Sequence, residues 1–117
     1  MSGSGADAPS SGQQRNAQEA FDAANQDSSR EAERLPPMDF VTFVLSLHHS
    51  ARMHLGDAPD PTSGATSVEL GLARQSIDLI TLIQEKTRGN LSGEEERILE
   101  QALYDLRMRY VEVAKSQ

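Results

Sequence analysis

The chain has no cysteine and no tryptophan, and phenylalanine and tyrosine together make up only 4% of it. Without thiols there is no disulfide framework, no thiolate metal site and no cysteine nucleophile, which fits a reducing compartment. Stability must come from aliphatic packing. Basic residues are also scarce, 11 Lys and Arg against 18 Asp and Glu, for a net charge of −7. That balance repels nucleic-acid phosphate and anionic lipid unless a local basic patch overrides it, and the sequence carries no such patch. Long hydrophobic runs are missing too. Residues 40–55 are interrupted by Ser46, His48, His49 and Arg52, too short and too polar to span ~30 Å of hydrocarbon, so no membrane partner is expected. After the initiator, residues 1–39 contain only Phe21, Leu35 and Met38 as large apolar side chains. That excludes a signal-peptide core, and the expected compartment is the cytoplasm.

What is present, 117 residues with 37% hydrophobic content, is enough for one small domain with a modest core. Residues 1–37 form an acidic tail rich in Ser, Gly, Ala and Gln, with too little apolar surface to offset the entropy of ordering it. The tail is expected to be disordered, with a weak helical tendency over residues 14–33 around Phe21, and composition favours a solubilising role over a partner-binding one. Pro36 and Pro37 close it. Residues 38–117 carry the periodic pattern of three helices, so the expected class is all-α, a helical hairpin crossed by an N-terminal helix.

The first helix is expected from the N-cap Asp39 to Leu55, ended by Gly56, with Phe40, Phe43, Val44, Leu47, Ala51 and Leu55 on its core face. A loop over residues 56–66 contains two prolines and two glycines, and Ser67 is the expected N-cap of the central helix. In that helix Val68, Leu72, Ala73, Ile77, Leu79, Ile80, Leu82 and Ile83 spread over roughly 220° at 100° per residue, about twice the arc one packed face requires. It should therefore be covered on two or more sides, by other helices or by another subunit. Lys86, Arg88 and Gly89 mark its end near Arg88. Ser92 and Glu95 have capping-box spacing, so a last helix over about residues 93–115 follows at once and lies antiparallel. Leu99, Leu103, Leu106, Tyr110 and Val113 form its seam, widened by Ile98, Ala102 and Ala114. Tyr104, Met108 and Val111 make a second stripe about 140° away, a candidate contact surface together with Leu72, Leu79, Leu82 and Ile83.

Several strings here resemble the bacterial family catalogued as domain of unknown function 1844. They are Met53 to Gly56, Pro59 and Pro61, Leu72 to Gln75, Ile77 with Asp78, Glu85 to Thr87, Gly89 to Leu91, and Tyr104 to Arg107 followed by Met108, Arg109 and Tyr110. The resemblance covers about residues 38–112. It implies a short, all-helical cytoplasmic bacterial protein, and brings no catalytic residue and no cofactor.

The residues that invite chemistry have simpler explanations. His48, His49 and His54 point at least 100° apart on a helix, so they do not make one metal site, and His54 on the apolar face reads as a hydrogen-bonded core histidine. Ser50 with His54, and Ser46 with His49, lack the orienting group and oxyanion donors that nucleophilic catalysis needs. Asp57 and Asp60 lack the spacing of a calcium loop, and residues 87–90 lack that of a phosphate loop. No catalytic, cofactor-binding or metal-ligating residue and no small-molecule substrate is assigned. Arg74, Asp78 and Arg107 are a candidate polar clamp on a partner, although bridging within the last two helices explains them more simply, with Asp105 and Arg109 well spaced for an i,i+4 pair.

The sequence thus points to a non-enzymatic interaction module that pairs with itself, as a homodimer or higher oligomer, or with another helical protein. The alternatives are a nucleic-acid-binding trihelical domain, disfavoured by Glu94, Glu95, Glu96 and Glu100 at the start of the last helix, and an accessory subunit of a metal-dependent enzyme.

Overall fold

Ser10 and Gln13 begin the first helix by exchanging hydrogen bonds, the Ser10 N–H donating to Gln13 Oε1 at 2.8 Å and the Gln13 N–H to Ser10 Oγ at 3.1 Å. This is a capping box built with glutamine. The computed structural model describes residues 7–32, 35 and 37–117, with the backbone alone for 26–32. The expectations for residues 1–6 and for Pro36 lie outside these. The helices are α1 (Ser11–Ala32), α2 (Phe40–His54), α3 (Leu70–Thr87) and α4 (Gly93–Lys115). The chain divides into two units, Met1–Pro37 and Met38–Gln117.

In the first unit the helical tendency expected around Phe21 takes the form of a helix over Ser11–Ala32. The cap, the alanines and glutamines, and a Gln18–Asp22 hydrogen bond of 3.0 Å one turn apart favour helix locally. Every side chain from Asp7 to Asn25 is exposed, Phe21 included. Propensity, capping and local side-chain bonds favour this helix, with none of its described side chains buried.

The second unit is the all-α, three-helix domain that the periodicity predicts. Asp39 caps α2 through Oδ1, which accepts the Thr42 N–H at 2.8 Å, and this backbone bond holds its carboxyl below the usual range. At the other end Gly56 turns the chain at φ +86°, and a Cβ there would lie 2.9 Å from Val68 Cγ2. The close approach exists because Leu55 and Val68 form an antiparallel β-bridge, reinforced by the Glu69 N–H donating to the His54 carbonyl at 2.7 Å.

That bridge corrects the start of α3. Val68 is drawn into extended pairing, so the helix begins two residues later than the sequence suggests, with Glu69 as an N-cap lacking a side-chain hydrogen bond. Between these points Asp60 organises the loop, accepting the Thr62 and Ser63 N–H groups at 2.7 and 3.3 Å, which also lowers its pKa. The α3 end and α4 start follow expectation. Arg88 is the C-cap, Gly89 takes φ +89°, and Ser92 with Glu95 closes a reciprocal capping box at 2.8 and 3.1 Å.

Each of α2, α3 and α4 packs against the other two. Val44, Ala51 and Leu55, Ala73, Ile77 and Ile80, and Leu99, Ala102, Leu103, Leu106 and Val113 form the core, with Phe40, Leu47, Leu91, Ile98 and Tyr110 packed around it. Among the described residues no polar side chain is buried. Two seam expectations fail at the edges: Phe43 and Ala114 are exposed, since each lies just beyond the sector its helix presents to its neighbours. No helix among the described residues is long and apolar enough to cross a membrane.

Candidate interaction surface

Three helices in a bundle each turn one sector inward, and α3 has more apolar side chains than that sector holds. Its buried positions are Ala73, Ile77 and Ile80, spaced four and three residues apart. α2 and α4 cover α3 on two sides, as expected, yet several apolar side chains remain outside both contacts. Leu72, Leu79, Leu82, Tyr104, Met108 and Val111 are each 44–62% exposed, while Ile83 is half-buried.

These side chains do not form one continuous patch. Arg74, Ile77, Asp78 and Thr81 of α3 line a groove of about 460 Å³ with Arg107, Tyr110 and Val111 of α4. A second groove of about 310 Å³ continues along α4 between Gln84, Glu100, Leu103, Tyr104, Arg107 and Met108. Leu72, Leu79, Leu82 and Ile83 line neither groove, Leu82 pointing away from the core. At 100° per residue Leu72, Leu79 and Ile83 fall on the opposite flank of α3 from Arg74 and Asp78, toward α2.

The three clamp residues do come together. Arg74 Nε donates to Asp78 Oδ1 at 3.3 Å, and Arg107 Nη2 reaches across the helices to Thr81 Oγ1 at 3.0 Å. Bridging between α3 and α4 thus runs from Arg107 to a hydroxyl, leaving its charge without a carboxylate among the described residues. The expected Asp105–Arg109 pair does not form. Asp105 accepts from Gln101 Nε2 at 3.0 Å, and Arg109 turns to Asp57 and Glu112.

That last interaction has no counterpart in the sequence pattern. Asp57 receives Arg109 through Nε and Nη2, both at 2.8 Å, and also lies 3.1 Å from Arg52 Nε. Its side chain is 15% exposed although its backbone is open to solvent. The Arg109 hydrogen bonds, opposed by the cost of burial, hold the Asp57 carboxyl below the usual carboxylate range. Asp57 thereby ties the loop after α2 to α4.

The histidines occupy separate surroundings. His48 lies in a groove of about 300 Å³ between α2 and α4 with Leu45, Arg97, Ile98, Gln101, Ala102 and Asp105. Burial, then the charge of Arg52, pushes its pKa down. His49 is exposed. His54 is not the core histidine expected of it: half-buried at the α2–α3 corner, it faces Glu69 with Nδ1 3.8 Å from Oε1. The α2–α4 groove was not foreseen either, and its one local signal is Leu45, an apolar residue off the core stripe of α2.

Half-exposed Met108, Val111 and Tyr104 in the grooves beside Arg74, Asp78 and Arg107 combine apolar anchors with charged edges. No curated protein and no solved structure matches the chain. A family model described as Domain of unknown function (DUF1844) matches residues 37–112, which span the whole of α2 and α3 and nearly all of α4, and the chain belongs to that family.

Proposed function

We propose that the domain is a non-enzymatic protein–protein interaction module of the cytoplasm that self-associates through the exposed face of α3 and α4. The observation that carries this reading is the half-exposure of Tyr104, Met108 and Val111, which line the two α3–α4 grooves, on a domain this small. Water contact at those positions costs free energy that a partner surface removes, about 0.8 kcal/mol per methylene buried. A few such side chains from each copy bring the gain to roughly the 8 kcal/mol of a micromolar complex, before the entropy of association is subtracted. Arg74, Asp78 and Arg107 at the groove edges supply orientation.

Light scattering on the eluting full-length chain tests the proposal. The wild type is expected to elute as a dimer at tens of micromolar, and Met108→Glu, which sets a charge into the contact, as a monomer with unchanged helicity. A wild-type monomer at those concentrations removes self-association and leaves another helical protein as the occupant of this face.

A further inference from the structure

Glu100, Tyr104 and Arg107 follow one another on the outer side of α4 at spacings of four and three residues, and all three are exposed. Among the described residues the Glu100 side chain makes no hydrogen bond or ion pair, and the Arg107 side chain has the neutral Thr81 hydroxyl as its polar contact. Two opposite charges without charged partners thus flank the most exposed aromatic side chain of the domain, Tyr104 at 62%. They stand seven residues apart, about 10 Å along the helix axis, too far to neutralise one another in water.

We infer that the occupant of this stripe is a second copy of the chain, lying antiparallel across α4 with a twofold axis beside Tyr104, so that Glu100 of each copy faces Arg107 of the other. The inference rests on the reading of this face as self-associating and adds the direction and register of the pair. A twofold axis at the midpoint of positions 100 and 107 brings the two residues level, and the same operation makes the contact twice. Parallel pairing in register opposes Glu100 to Glu100 and Arg107 to Arg107, placing like charges together at both ends. Near the axis the two Tyr104 rings meet, and Met108 and Val111 extend the apolar strip on either side.

Charge reversal in the full-length chain tests the arrangement. Glu100→Arg alone and Arg107→Glu alone each leave like charges facing across the pair, so the dimer constant by sedimentation should weaken at least about tenfold. The double variant E100R/R107E exchanges the charges in both copies and should return close to wild-type affinity. An equimolar mixture of the two single variants should form a heterodimer tighter than either variant alone, which also establishes that both are folded. A wild-type dimer whose single variants pair as well as it does, or whose double variant fails to recover, overturns the antiparallel register while leaving self-association standing. A wild-type monomer at about 100 µM overturns the underlying reading as well.

Discussion

Arg109 grips Asp57 across 52 positions of sequence, its Nε and Nη2 each 2.8 Å from a different carboxylate oxygen. The pair, with Arg52 at 3.1 Å, fastens the corner after α2 to the last helix and sets where the loop leaves the bundle. It is a two-pronged bond to a largely covered carboxylate, the arrangement in which an ion pair contributes to stability rather than merely decorating a surface.

Its contribution should depend on pH. The Asp57 carboxyl is lowered in the folded state, so its stabilisation is fully present above the unfolded aspartate value of about 3.9 and is lost as pH falls through the lower folded value. Asp57→Asn should therefore be less stable than wild type at pH 7, with the difference shrinking below about pH 4. Urea midpoints at a series of pH values check this, and a difference that persists in acid would show that Asp57 acts through something other than its charge.

Gly89→Val should destabilise the domain by about 1 to 3 kcal/mol, because a β-branched residue resists the φ of +89° that ends α3. Gly56→Ala should cost more than Gly89→Ala. Both positions hold positive φ, and at Gly56 the added Cβ also meets Val68, 2.9 Å away, whereas nothing lies within 4 Å at Gly89. Equal losses for the two alanine variants would show that the chain near Val68 yields freely.

Amides of α1 should exchange at least about a hundredfold faster than those at the centres of α3 and α4. The helix buries none of its described side chains, and a helix held by propensity and one capping box is marginal in water. Hydrogen exchange followed by mass spectrometry reads this, and protection of residues 14–25 equal to that of the domain would contradict it.

Local determinants were legible in the sequence. The Asp39 cap, the Gly89 stop and the Ser92–Glu95 box each depend on residues within three or four positions of one another, and all three stand where the pattern puts them. The core seam of α4 was legible for the same reason. Pairings between distant positions were not: the Leu55–Val68 bridge that displaces the α3 cap from Ser67 to Glu69, and Asp57 with Arg109, leave no periodic trace. The candidate surface falls between these cases. Its apolar residues announce themselves by their width around the wheel, but which of them a neighbouring helix covers is settled by packing, so Leu72 and Leu79 part from Tyr104 and Met108 only once the helices are assembled.

Val111→Glu should weaken pairing at least about tenfold without lowering the thermal midpoint of the domain, since Val111 is half-exposed in the α3–α4 groove and outside the core. A large loss of midpoint would place Val111 among the residues that hold the fold.

The most direct test of self-association is sedimentation equilibrium of the full-length chain over about 1 to 200 µM, a range that brackets micromolar pairing. Pairing through the α3–α4 face predicts a weight-average mass rising from 12.8 kDa toward twice that value as concentration increases. A mass that stays at 12.8 kDa to the top of the range would contradict it.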